Sequence, residues 1–164
     1  MLNADIMILA DAAAKRHGLP PPLVYAIIET ESGGNPWAVR YEPAFYEKYI
    51  APAPIKGRGT CSAQTEARMQ ATSWGLMQLM GATAREAGFD GVFLSQLCDP
   101  KVGIEWGCTY LAKLVRQYAS RYRWEGVVAA YNAGSPKKTK TGLWVNQSYV
   151  DKIRAARGFQ FETA

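Results

Sequence analysis

At 164 residues with a net charge of +5, 48% hydrophobic and 20% charged, the chain is sized and composed for one globular domain with its own core. Its single histidine, His17, leaves no ligand set for a zinc hydrolase and no well-placed base for a Ser-His or Cys-His site. The three cysteines, Cys61, Cys98 and Cys108, are irregularly spaced and form neither a disulfide framework nor a Cys-x-x-Cys metal site.

The opening stretch, Met1 to Ala10, lacks a basic first region, and Asp5 and Asp11 interrupt its apolar run, so no secretory leader is expected. Ile6, Leu9, Ala10 and Ala13 instead follow helical spacing behind Asn3 as a cap, which predicts a helix over 3–17. It ends at Arg16-His17-Gly18, where a cation suits the helix dipole, so His17 reads as structural. Gly18-Leu19-Pro20-Pro21-Pro22 makes a rigid turn into a second helix over 22–31, stopped by Gly33-Gly34.

In that helix Leu23, Val24, Ile27, Ile28 and Glu31 share the side expected to be buried, and Glu29 points to solvent. A carboxylate near the negative end of the helix dipole, on an apolar face, favours its protonated form, which is what a general acid needs. A frayed surface Glu is the plain alternative, and this stretch alone leaves both readings open.

From Asn35 to about Thr72 the periodicity weakens. Ala51-Pro52-Ala53-Pro54-Ile55-Lys56-Gly57-Arg58-Gly59 is a loop between short helices near 43–49 and 62–70, and a loop this long predicts a cleft rim. Trp37, Tyr41, Phe45, Tyr46 and Tyr49 around it either stack on sugar rings or pack the loop down, and packing is the reading preferred for most of them. Glu42, Glu47 and Glu66 read as solvated loop acids. A short helix follows over 82–87, then the longest, from Asp99-Pro100 to about Tyr118, with Ile104, Cys108, Leu111, Leu114, Val115 and Tyr118 on its apolar side. Another runs from Trp124 to Gly134, and the last spans 146–157. If the segment between them is helical, Cys98 and Cys108 lie roughly 13 to 15 Å apart, too far to bridge, while Cys61 could pair with either. Lys137-Lys138-Thr139-Lys140 reads as a solvated loop, although a sequence pI of about 9.2 suits a polyanionic partner. No run is long enough to cross a bilayer. The expected architecture is one mainly α domain over 1–164.

Five stretches in order resemble the soluble-type lytic transglycosylases, which share the α+β lysozyme-like fold with goose-type lysozymes. They are Glu31-Ser32-Gly33-Gly34-Asn35-Pro36-Trp37-Ala38, Gly75-Leu76-Met77-Gln78-Leu79-Met80 with Thr83-Ala84, Asp99-Pro100 through Tyr110-Leu111, Ala129-Ala130-Tyr131-Asn132-Ala133-Gly134, and Ser148-Tyr149-Val150. The resemblance implies an enzyme without metal or cofactor. It would cut peptidoglycan between N-acetylmuramic acid and N-acetylglucosamine, with Glu31 as its one catalytic carboxylate, and form a 1,6-anhydro end.

It further implies substrate contacts at Ser32, Gln78, Met80, Tyr131, Asn132 and Tyr149, with the Tyr131 hydroxyl close to the acid and Asn132 fixing a turn. Met77 reads as core filling. Similar goose-type hydrolases carry an acid where this chain has Met80, which favours transglycosylation; a hydrolytic muramidase using Glu42, Glu47 or Glu66, and a non-catalytic glycan-binding module, are the alternatives. The chain departs from the pattern at Arg40, where many members have Ser, after Gly134, and in the insert over 42–70. A compact domain of this kind resembles phage-borne endolysins or tail-associated enzymes. It would be a monomer, made in the cytoplasm and delivered to the wall, with peptidoglycan rather than nucleic acid as partner and no stable membrane insertion.

Overall fold

The computed structural model describes residues 2–156 and 159–161. Helix α1 (Ala4–His17) starts where the Asn3 side chain accepts from the Asp5 amide and ends at Gly18, whose φ of 64° is left-handed. Beyond the turn, α2 (Pro21–Ser32) opens with proline in its first turn and stops at Gly33, φ 61°. Both helices match the boundaries read from the caps.

His17 presents Nε2 at 2.8 Å from Glu105 Oε1, and Arg16 pairs with the other carboxylate oxygen. Burial pushes the Glu105 carboxyl up, but the bonds from Arg16 and His17 hold it below the ordinary value. These contacts tie the end of α1 to α6 (Pro100–Ala133), the long helix introduced by Asp99, whose side chain accepts from the Val102 amide.

Helix α6 covers both helices expected over 100–118 and 124–134. Its helical geometry breaks at Arg123, φ 53° and ψ −166°, between the two expected segments. Gly126 sits hard against the preceding turn there, since a Cβ on it would lie 2.1 Å from the Tyr122 Cβ. Beyond the break, Val127, Val128, Ala129 and Ala130 are fully buried in the core shared by α1, α2, α6 and α7 (Gln147–Ala155). The last helix was expected to reach 157, a residue outside those described.

The mainly helical expectation holds, and a small antiparallel sheet is added to it. Strands β1 (Val39–Tyr41), β2 (Thr72–Trp74) and β3 (Leu79–Met80) pair in the order β1-β2-β3, with Arg40 opposite Ser73 and Ser73 opposite Met80. Between the first two strands run a short α3 (Pro43–Phe45), a π turn over Tyr46–Ile50, the Pro-rich loop, and α4 (Ala63–Gln70), capped by Ser62. Helix α5 (Gly81–Glu86) follows β3, and a 3-10 turn (Leu94–Cys98) leads to Asp99. All three cysteines are buried and free, which removes the pairing left open for Cys61.

The turn between β2 and β3 carries the Gly75-Leu76-Met77-Gln78 stretch into the interior. Leu76 and Met77 are 1% exposed, and the missing side chain of Gly107 in α6 makes room for Met77, because a Cβ there would lie 2.4 Å from its Sδ. Gly75 has φ 67°, and a Cβ on it would meet the Leu97 carbonyl oxygen at 2.4 Å. Backbone cannot yield as a flexible side chain can, so Gly75→Ala combines left-handed strain with a clash. A loss of at least about 2 kcal/mol is expected, read as a lowered urea midpoint at unchanged slope.

Candidate active site

Helix α2 brings Glu31 to its last turn, on the side its apolar neighbours bury; Glu31 is half-buried and Glu29 exposed. The Tyr149 hydroxyl, from α7, donates to Glu31 Oε1 at 2.7 Å. Burial lifts the Glu31 carboxyl above its ordinary value of 4.5, only partly opposed by the Tyr149 bond and the positive charge of Arg40. Burial and the nearby Glu31 charge push the Tyr149 hydroxyl well above the usual range, so it stays a donor. With Oε1 engaged, the other carboxyl oxygen is the one placed to hold and release a proton.

Glu31 opens into a cleft of about 370 Å³, within the range of small-molecule sites. One wall comes from Arg40, Phe45 and Tyr49, the floor from the sheet and its turn through Ser73, Gln78 and Met80, and the other wall from Tyr110 and the end of α6. Gln78 adopts a left-handed φ of 46°, and its Nε2 donates to the carbonyls of Ala38 and Gly75, both at 2.9 Å. Two carbonyl acceptors fix the amide's orientation, so what Gln78 can offer a ligand is its own carbonyl oxygen, an acceptor suited to an N–H.

Of the six residues expected at the substrate, Gln78, Met80, Tyr131 and Asn132 line the cleft. The buried Tyr131 hydroxyl donates to the Met77 carbonyl at 2.8 Å and lies near enough to feel the Glu31 charge, while the hydroxyl that bonds Glu31 is that of Tyr149. Asn132 accepts from Asn146 Nδ2 at 2.9 Å, which couples the end of α6 to the start of α7. Ser32 does not line the cleft. Its hydroxyl donates to the carbonyl of Ile28 at 3.1 Å and of Leu76 at 2.8 Å, pinning the end of α2 to the sheet turn. Tyr149 is likewise absent from the cleft walls and acts on Glu31.

Residues 8–154 match the family model described as the Transglycosylase SLT domain. The chain belongs to that family. This SLT domain is 29% identical over 154 residues to the membrane-bound lytic murein transglycosylase C of Actinobacillus pleuropneumoniae serotype 5b, and equally to its counterpart in serotype 3. The match takes in 85% of this chain and 33% of each relative, so the chain spans about a third of the curated relatives' length. Its fold is shared with the X-ray structure of an inactive mutant of the lytic transglycosylase Slt from Pseudomonas aeruginosa. That comparison has a TM-score of 0.55 and 24% identity, and covers 89% of this chain and 20% of that one.

The acids of the insert, all read from the sequence as solvated, differ from one another in the structure. Glu42 in the SLT domain is half-buried and lies 2.5 Å from Arg40 Nε; Glu47 is exposed and does not line the cleft. Glu66 is 1% exposed, the reverse of a solvated loop acid, and its two oxygens accept from Arg85 Nε at 2.7 Å and Nη2 at 2.9 Å. Of the loop aromatics, Trp37 stands 73% exposed, whereas Phe45 and Tyr49 pack together with ring centroids 4.9 Å apart. Among the described residues no group of three or more His, Cys, Asp and Glu could hold a metal ion, and no helix is long and apolar enough to cross a membrane.

Replacing Tyr149 with Phe removes one of the influences that lower Glu31. Activity should fall about tenfold, and the basic limb of the pH-rate profile should move to higher pH, because a more weakly opposed burial keeps the proton longer. If activity fell with the limb unmoved, Tyr149 would be only a packing residue.

Proposed function

We propose that this domain is a peptidoglycan lytic transglycosylase that breaks the β-1,4 bond between N-acetylmuramic acid and N-acetylglucosamine and leaves a 1,6-anhydro-muramic end. The observation that carries the reading is that Glu31 is the one carboxylate among the described residues lining the cleft. Glycosidases built on two carboxylates need a second acid as nucleophile or as base for water. Here Glu42 faces Arg40 and Glu66 is locked to Arg85, so neither supports the hydrolytic alternative.

The chemistry closes with one acid. The Glu31 proton passes to the glycosidic oxygen, the bond to the muramic C1 breaks, and the N-acetylglucosamine side leaves as an alcohol. The cationic C1 is stabilised by the substrate's own acetamido group, whose N–H the Gln78 carbonyl is suited to accept. Glu31, now a carboxylate, takes the proton of the muramic C6 hydroxyl as that oxygen bonds to C1. The acid ends protonated and no water is consumed. Because nucleophile and electrophile belong to one sugar, proximity supplies what a positioned water would otherwise provide.

The proposal includes action as a monomer without a cofactor, with Gln78, Met80, Tyr131 and Asn132 on the substrate. It also includes a phage-type route to the wall, supported by resemblance alone; the curated relatives are named as membrane-bound, a different route. Digestion of purified sacculi tests the activity: the domain should release soluble muropeptides ending in anhydro sugars, and intact sacculi after prolonged incubation would refute it.

A further inference from the structure

The cleft has a charge pattern that its acid does not need. Arg40, on β1, lines the same cleft as Glu31, and its side chain is 71% exposed. Its Nε lies 2.5 Å from Glu42 Oε1, a buried oxygen, while its two terminal nitrogens make no hydrogen bond among the described residues. Those nitrogens form the planar fork that grips a carboxylate with two parallel hydrogen bonds. The Arg40 side of this pair is open to solvent while Glu42 Oε1 is buried, so an incoming carboxylate can reach the terminal nitrogens while Nε stays with Glu42.

Two lysines act on Tyr49, which lines the cleft beside Arg40. Lys48 lies 4.9 Å from the centre of the Tyr49 ring on the insert wall. The Tyr49 hydroxyl is drawn below its usual range first by a hydrogen bond with Lys48 and by that charge, with a smaller contribution from Lys137, in the loop beyond Gly134. The Arg40 charge works against the retained proton on Glu31. A bound anion that neutralised Arg40 would remove that opposition when the acid is called upon.

Resting on the function proposed above, we infer that Arg40 is a specificity-determining residue that binds a carboxylate of the glycan strand through its two terminal nitrogens. Two carboxylates share the required chemistry: the lactyl group of a peptide-free muramic unit, and an acidic group of the stem peptide.

Binding to the Glu31→Gln variant, which holds strands uncut, separates them with three probes. These are peptide-free strands with free lactyl carboxylates, the same strands amidated, and strands bearing stem peptides. At least one acid-bearing probe should bind about tenfold more tightly than the amidated strands, and which one does so identifies the carboxylate. Adding Arg40→Ser should bring that ratio close to one, Arg40→Lys should keep part of it, and Glu42→Gln should tighten the acid-bearing probe further. Equal affinity for all three probes, or a preference unchanged by Arg40→Ser, overturns the inference and leaves the proposed function standing. If none of the three bound, the proposed function would fall, and this inference with it.

Discussion

Glu31→Gln is expected to reduce muropeptide release by at least about a thousandfold while raising the melting temperature at neutral pH. The first effect follows because glutamine keeps the shape and can still accept from Tyr149, yet has no proton to give and no carboxylate to take one back. The second follows from the sign of the shift. The folded Glu31 holds its proton above the ordinary value of 4.5, so the folded state binds more protons than the unfolded one as pH rises from there. Stability therefore declines as pH climbs from about 4.5 through the raised value, and stays reduced above it. Glutamine carries no such penalty. The variant should melt higher than wild type at pH 7 and match it below about pH 4, measured by thermal scans across that range. A variant that lost activity but melted lower at neutral pH would point to damaged packing rather than to a missing proton.

Arg85→Ala should have the largest effect on stability, about 3 to 5 kcal/mol, or a fall in melting temperature of about 10 °C. Arg85 and Glu66 have side-chain exposures of 8% and 1%, and the guanidinium also donates to the carbonyls of Phe89 and Gly91, both at 2.8 Å. The pair thus ties α4 of the insert to α5 and to the loop leading into the 3-10 turn, behind the sheet that floors the cleft. Truncating the arginine leaves a buried carboxylate and two carbonyls without their donor.

The pH dependence of this contact is opposite to that of Glu31. Burial pushes the Glu66 carboxyl up, but the hydrogen bonds from Arg85 and Gln70, with the Arg85 charge, outweigh it and hold the group below 4.5. Its stabilisation is present above the unfolded value and is lost as pH falls through the folded one. The difference in melting temperature between wild type and Arg85→Ala should therefore shrink in acid. An undiminished difference at pH 2 would show that the carbonyl contacts alone account for the effect.

Local chemistry made much of the fold legible in the sequence. Asn3, Gly18, Gly33, Asp99 and Gly134 mark helix ends with caps that work within a few residues, and the apolar stripe around Leu23, Val24, Ile27 and Ile28 placed Glu31 on the correct side. Strands of two or three residues were not legible, because a period of two cannot show itself over so short a run. The break at Arg123 was legible as an interruption, since it falls between the helices read to end near Tyr118 and to start at Trp124, but the sequence did not show that one continuous element spans it. Glu66 and Arg85 lie nineteen residues apart, and Tyr149 meets Glu31 across 118 positions. Those pairings come from tertiary packing, so the acid could be found by periodicity while the tyrosine that positions it could not. The family pattern singled out Tyr131 and Ser32 as well, yet both spend their hydroxyls on main-chain carbonyls that fix the Leu76-Met77 turn.

The claim that one carboxylate serves first as acid and then as base, with a hydroxyl of the substrate as nucleophile, is tested most directly by digesting peptidoglycan in water enriched in heavy oxygen and weighing the new muramic ends. The account predicts ends one water lighter than the reducing sugar and free of the label. Reducing ends carrying the heavy oxygen would contradict it.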